Sequence, residues 1–303
     1  MKLFAPAYYR KFQCIADACR HSCCIGWEID VDDVTLQKYH ALPQNGYAKQ
    51  VLQSIDPLPT PHFRLDPREH CPHLEENGLC RLILSLGEDC LCHICREHPR
   101  FYNDTPLGRE VGLGMACEEA CRLILSEERY DQIAEVGEIS GEPMQKGRFD
   151  PLHHRARVYA FLSDNTLPYT QRLQQISRAY GVSPRRYSAA YWQDLLSSLE
   201  YMDEEHWTWS NAYTASPVLP RETERLLERA LAYFVFRHCT ESASLAQWKA
   251  SLGLCLVLER LLASLAAKEG AYDLAAFSDL ARALSEELEY SEENTDTLRF
   301  AFL

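Results

Sequence analysis

The chain has 303 residues, 46% of them hydrophobic, with 31 lysines and arginines against 44 aspartates and glutamates. That length supports one large or two ordinary domains, and the net charge of -13 argues against a nucleic-acid partner, whose phosphates need a basic field. No charge-free apolar run reaches membrane-spanning length and no secretory leader pattern is visible, so a soluble, cytoplasmic protein without a membrane partner is expected.

Residues 1–136 read as a cysteine-rich, loop-rich module with turns at Pro43–Gly46, Pro57–Pro61 and Asn77–Gly78. Two short helices are predicted inside it. One starts at Asp32 or Asp33 and runs through Leu36, Tyr39 and Leu42; the other starts near Cys117 and carries Leu123, Ile124 and Tyr130. Gly137 to Asp150 mixes glycine, proline and charge without periodicity and reads as a linker.

Residues 151–303 read as an α-helical domain. Tyr187, Tyr191, Trp192, Leu195 and Leu199 form one helical stripe. Leu226, Leu227, Ala230, Leu231, Phe234 and Val235, preceded by Pro220, form a second. A buried helix is predicted over 244–267, since Glu259 and Arg260 interrupt its apolar run. A last stripe runs from Leu274 through Phe277, Leu280, Ala281 and Leu284 to Leu288, and the acidic run Glu286–Asp296 reads as a solvated helix end. Strand-like alternation is scarce. The fold class expected is mainly α: a metal module followed by a helical bundle.

Eleven of the thirteen cysteines lie between Cys14 and Cys121. They form three groups: Cys14-x4-Cys19-x3-Cys23-Cys24, Cys71-x8-Cys80-x9-Cys90-x-Cys92-x2-Cys95, and Cys117-x3-Cys121. Thiols in a reducing compartment stay free for metal, and short spacings let one loop present several to one centre. Thiolates are soft ligands that select zinc, cuprous copper or iron–sulfur clusters. His21, His70, His73, His93 and His98 are further candidates, although histidines beside so many thiols more often orient other groups. Cys239 and Cys255 sit in apolar helical stretches, where a buried thiol is expected.

The opening stretch Tyr8-Tyr9-Arg10-Lys11-Phe12-Gln13-Cys14 through Cys19, then Cys23-Cys24-Ile25-Gly26-Trp27, resembles the flagellin lysine-N-methylase family. So do Cys71-Pro72-His73-Leu74, Gly78-Leu79-Cys80, Cys95-Arg96, Pro99-Arg100, Glu110 and Met115-Ala116-Cys117. The pattern is also similar to a wider group of cysteine-rich zinc- or iron-chelating proteins. The resemblance covers about residues 5–130. It implies lysine methylation of flagellin or another lysine-rich protein, with S-adenosylmethionine as donor and an iron–sulfur cluster of the four-iron, four-sulfur kind, zinc being the alternative. Carried over by position, the implied metal ligands are Cys14, Cys19, Cys23, Cys24, Cys71, Cys80, Cys95 and Cys117. Cys90, Cys92 and Cys121 stand outside the shared pattern.

A Cys-x3-Cys-x2-Cys run of the radical S-adenosylmethionine type is absent, because Gly26 follows Cys19 and Cys23. No glycine-rich nucleotide fingerprint follows a clear strand either. Tyr8, Tyr9 and Glu110 are candidate catalytic helpers that would relieve a lysine of its proton. Trp27, Arg96 and Arg100 are candidates for holding the donor, the arginines through its carboxylate. The competing reading is a non-catalytic zinc- or iron-binding or electron-transfer module on a helical bundle.

Overall fold

The computed structural model describes residues 1–43, 45–145 and 147–303. In chain order the elements are β1 (Lys2–Pro6), β2 (Ile29–Asp30), α1 (Asp33–Ala41), α2 (Gly46–Gln53), β3 (Ile55–Asp56), β4 (His62–Phe63), α3 (Arg81–Leu86) and α4 (His93–Glu97). There follow β5 (Arg100–Thr105), β6 (Gly108–Leu113), α5 (Glu118–Ser126), β7 (Ile133–Glu138), α6 (Pro151–Leu162), α7 (Tyr169–Tyr180) and α8 (Ala189–Ser197). The chain ends with α9 (Arg221–Cys239), α10 (Leu245–Glu269), α11 (Leu274–Leu284) and α12 (Glu292–Phe300). The protein is mainly α, and its contacts divide it into two units: residues 13–100, and residues 1–12 with 101–303.

The unit of residues 13–100 is built on a small antiparallel sheet in the order β2-β4-β3, in which Phe63 pairs with both Ile29 and Ile55. Ile29, Val31, Tyr39, Val51, Phe63 and Leu82 form its core. The helix foreseen at Asp32 or Asp33 is present. Asp32 caps it by accepting from Thr35 N at 3.0 Å, satisfying one of the amides a helix start leaves open. The other carboxylate oxygen accepts from His93 N at 2.8 Å, tying α1 to the start of α4.

Burial pushes the Asp32 carboxyl up, but the His93 and Thr35 donors outweigh it and hold it at about 2. A carboxyl held low in the fold contributes stability that is complete above its unfolded pKa of about 3.9 and is lost as pH falls toward the folded value. Asp32→Ala is therefore expected to lower stability by about 1 kcal/mol at neutral pH. Its deficit against the parent chain should shrink as pH falls from about 4 to about 2. Urea denaturation at neutral and acid pH checks this, and a deficit constant across that range would contradict it.

In the other unit, a four-stranded sheet runs β5-β6-β1-β7, with β1 parallel to β6 and antiparallel to β7. Against it lies a helical core of which α10 is the centre. Leu252, Leu254, Leu258, Leu261, Leu262 and Leu265 are all buried, so α10 is apolar around most of its circumference, as a helix surrounded by protein must be. Ser244 caps its start and Gly270 closes its end at φ 70°, a left-handed position natural to glycine. α10 is also the one helix among the described residues long and apolar enough to cross a membrane, and it is buried inside the fold. Cys239 and Cys255 are buried thiols here, 3.9 Å apart.

Several sequence expectations are corrected. Residues 101–136, assigned above to the cysteine module, group with the helices instead. β1 pairs with β6 and β7, and the apolar face of α5, including Ala120, Leu123, Ile124 and Leu125, joins the helical core. The linker over Gly137 to Asp150 begins inside β7; Lys146 within it, and Gln44 within the turn at Pro43–Gly46, lie outside the described residues. The stripe at Tyr187–Leu199 contains a shorter helix, α8, whose cap is Ser188.

The acidic run is not simply solvated. After α11 the chain widens into a π-helical turn over Ser285–Glu289, and Glu287 and Glu289 are buried. Glu287 accepts from Met202 N, Asp203 N and His206 Nδ1. Glu289 meets Arg237 Nε at 3.2 Å and His238 Nε2 at 3.0 Å, which holds its carboxyl low despite its burial. Buried carboxylates persist only with such partners.

Candidate metal centre

Three segments of the 13–100 unit bring thiols together. Gly26 N donates to Glu69 O at 2.9 Å and Cys71 N to Cys24 O at 2.8 Å, so the Cys23–Cys24 loop lies along the segment leading to Cys71. Gly26 has φ 75°, a conformation that favours glycine at this bend. A turn at Glu75–Gly78 then folds the chain back, Leu74 bridging Cys80, which returns Cys80 beside Cys71. Cys92 is the N-cap of α4 and Cys95 sits in its first turn, three residues on and on the same face.

These thiols are paired. Side-chain hydrogen bonds link Cys71 with Cys24, and Cys95 with Cys92. Hydrogen bonds with the Cys23 and Cys71 thiols hold the Cys24 thiol far below its ordinary value, against the effect of burial, while Cys71 is pushed up by its bond with Cys24. In the second pair Cys92 is lowered by its hydrogen bond with Cys95, helped by Tyr39 Oη at 3.7 Å. Cys80 feels negative charge at both Cys24 and Cys92, after the burial that mainly raises it. Cys24, Cys71, Cys80, Cys92 and Cys95 thus form one electrostatically linked group packed at the edge of the Tyr39–Phe63 core, with the exposed Cys23 bonded to Cys24.

Cys24 and Cys92 are the two thiols whose acidity the surroundings raise, so they are the sulfurs readiest to give up a proton to a cation. Among the described residues, no three histidine, cysteine, aspartate or glutamate side chains close around one ion position; the sulfurs are instead held in hydrogen-bonded pairs. The donor chemistry nonetheless fits a thiophilic centre, since the linked group is all sulfur and soft thiolates suit zinc or iron–sulfur clusters. Each pair offers a sulfur that loses its proton on metallation.

Of the eight ligands implied by resemblance, Cys23, Cys24, Cys71, Cys80 and Cys95 come together here. Cys14 is exposed, and Cys19 donates its thiol to His21 O at 3.2 Å. Cys117 belongs to the other unit, as the N-cap of α5. Cys92, set outside the pattern, is fully buried within the group; the signal for it was the Cys92-x2-Cys95 spacing itself. Cys121 is a buried thiol that donates to Ser278 O at 3.4 Å. His73 has both ring nitrogens engaged, by Tyr47 Oη at 2.8 Å and Ser54 Oγ at 3.2 Å, and burial lowers it to about 4. His98 lies within electrostatic reach of Cys24, although burial is the larger influence and keeps its imidazole low.

Trp27 is half-buried directly after Gly26. Arg96 is exposed and hydrogen-bonds Leu91 O at 2.8 Å, while Arg100 Nη1 reaches Arg96 O at 3.4 Å. The candidate helpers Tyr8 and Glu110 are buried in the other unit, with Tyr9 half-buried beside them in the chain. Among the described residues the Tyr8 hydroxyl has no hydrogen-bond partner, and burial raises its pKa well above the ordinary phenol value. Glu110 has both oxygens taken by Arg155, at 2.6 and 2.7 Å. This pair anchors Glu110 in the interior, and each oxygen keeps acceptor capacity beyond its one bond to Arg155.

No family model matches the chain, and no solved structure matches it. It is 29% identical over 136 residues to the lysine-N-methylase of Salmonella typhimurium strain LT2, covering 40% of this chain and 32% of that protein. It is 30% identical over 128 residues to the lysine-N-methylase of Salmonella choleraesuis strain SC-B67, with the same coverage of each. The chain therefore spans about a third of the length of these two relatives. It is also 30% identical over 128 residues to the flagellar biosynthetic protein FliU of Salmonella muenchen, covering 40% of this chain and 76% of FliU. With three quarters of FliU spanned at that identity, the chain belongs to the flagellin lysine-N-methylase family.

Proposed function

We propose that the chain is a protein-lysine N-methyltransferase acting on flagellin, or on another lysine-rich protein, with S-adenosylmethionine as methyl donor. The observation that carries this reading is a set of linked thiol pairs in a chain 30% identical to a relative named lysine-N-methylase. Cys23, Cys24, Cys71, Cys80, Cys92 and Cys95 would hold an iron–sulfur centre, or zinc as the alternative. When bound, an iron–sulfur centre would supply electrons or an open iron to activate the methyl donor.

The chain's own residues have three tasks in this scheme. Arg96 and Arg100, on the α4 side of the thiol group, recognise the donor's carboxylate. Trp27 shields the centre from water. The lysine must lose its proton, which from a pKa near 10.4 costs about 4–5 kcal/mol at neutral pH. Tyr8, Tyr9 and Glu110 are the residues proposed to assist that step. The acidic surface, at net charge -13, favours a lysine-bearing partner.

Anaerobic co-expression with a flagellin, followed by intact-mass analysis of the flagellin, tests the reading. Mass increments of whole methyl groups that vanish with Cys24→Ser are expected. Unmodified flagellin would remove the methylase reading. A colourless protein with stoichiometric zinc would remove the redox chemistry.

A further inference from the structure

A cleft of about 210 Å³ opens in the helical unit, where α7, α10 and the segment before α8 meet. Its walls carry three guanidiniums, those of Arg178, Arg185 and Arg260, together with Glu259, Trp192 and Tyr213. Arg260 Nη1 and Arg185 Nη2 both donate to one acceptor, the carbonyl of Ala215, at 2.6 and 3.4 Å. Two like charges are thereby held side by side on a single neutral oxygen. The remaining contact of Arg185 is Ser216 Oγ at 3.1 Å, and among the described residues neither Arg178 nor Arg185 has a carboxylate partner. Arg260 Nε is buried without a hydrogen-bond partner, and its nearest carboxylate oxygen, on Glu259, is 3.9 Å away.

Glu259 is the cleft's one acid. It is 2% exposed, accepts one hydrogen bond from Tyr169 Oη at 3.0 Å, and has its carboxyl raised by burial. Its second oxygen faces a neighbour too distant for a hydrogen bond, so it can accept from a ligand's hydroxyl or amine. Trp192 and Tyr213, both buried, back the cleft with rings tilted 42° to each other.

A chain with net charge -13 has no solubility reason to gather three arginines around one cavity. Their mutual repulsion turns into attraction when an oxyanion enters, because a guanidinium fork binds phosphate or carboxylate through parallel hydrogen bonds. S-adenosylmethionine does not fit that demand, since its ammonium and sulfonium leave it with a net positive charge. We propose that this cleft is a second ligand site, separate from the methyl donor's, for a small organic oxyanion that also bears a hydroxyl. Arg260 and Arg185 hold the phosphate or carboxylate, and Glu259 accepts from the hydroxyl. The proposal does not depend on the methylase reading.

Direct titration calorimetry of the full chain tests it without any activity assay. The probes are AMP for a phosphate, adenosine-5′-carboxylate for a carboxylate, and adenosine as the same body without an anion. Saturable binding of AMP or adenosine-5′-carboxylate is expected, with adenosine weaker by about tenfold or more. The arm that binds more tightly identifies the anionic group. Arg260→Gln and Arg185→Gln are each expected to weaken the bound probe by about tenfold. Arg185 is exposed, so its variant decides the matter if Arg260→Gln fails to fold. Adenosine binding as tightly as both anionic probes, wild-type affinity in Arg185→Gln, or no saturable binding of either anion would overturn the proposal.

Discussion

Cys92→Ser is expected to reduce the metal bound to anaerobically purified protein to less than about a tenth of the parent's, whereas Cys14→Ser and Cys121→Ser leave it within about twofold. The contrast follows from position. Cys92 is fully buried, hydrogen-bonded with Cys95, and sits in the linked group through its effect on Cys80. Serine there removes a soft anionic ligand and leaves a hydroxyl that binds zinc or iron–sulfur poorly. Cys14 is exposed, and Cys121 donates to a backbone carbonyl within the other unit, so neither enters the group. Elemental analysis with acid-labile sulfide determination reads the outcome. Full metal content in Cys92→Ser, with loss in Cys14→Ser, would restore the ligand set implied by resemblance and sink the one assembled here.

That Cys92 escaped the sequence comparison while Cys24 did not has a physical reason. A positional resemblance marks only the thiols that relatives share, and says nothing of which sulfurs meet in space. The Cys92-x2-Cys95 spacing was visible, and spacing of that kind places two side chains on one face of a helix start. The pairing of Cys24 with Cys71 could not be read at all, because it depends on the bridges from Gly26 to Glu69 and from Cys71 to Cys24. The separation in sequence there is 47 residues, found as Cys71 minus Cys24.

Helices were the legible part of the fold. The apolar periods of α9, α10 and α11 were long enough to stand out, and Pro220 and Ser244 marked two of the starts. Strands were not, for β2, β3 and β4 have two residues each, too few for alternation to register. β1 finds its parallel partner more than a hundred residues away, at Arg109 and Glu110. The acidic run misled for a different reason. Charge density at Glu286–Asp296 reads as solvent exposure until Arg237, His238 and the backbone amides of Met202 and Asp203 are known to face it.

Arg155→Met is expected to be the most destabilising single substitution in the helical unit, by about 3–5 kcal/mol, because it strands the Glu110 carboxylate in the interior. Glu110→Leu should cost a similar amount by stranding the guanidinium. The two side chains are 5% and 7% exposed, and their bidentate pair links β6 to α6. Arg155 Nη1 also reaches Thr240 Oγ1 at 2.8 Å, at the end of α9, and its guanidinium lies 5.2 Å from the centre of the Phe236 ring. Replacing both members by apolar residues of similar size removes both stranded charges. The double variant Glu110→Leu/Arg155→Met should therefore recover most of the loss, a coupling that a double-mutant cycle in denaturant measures directly. The same variant separates two roles for Glu110. If the carboxylate serves only to hold Arg155, the double variant regains flagellin methylation together with stability. If it regains stability and stays inactive, Glu110 or Arg155 takes part in the reaction.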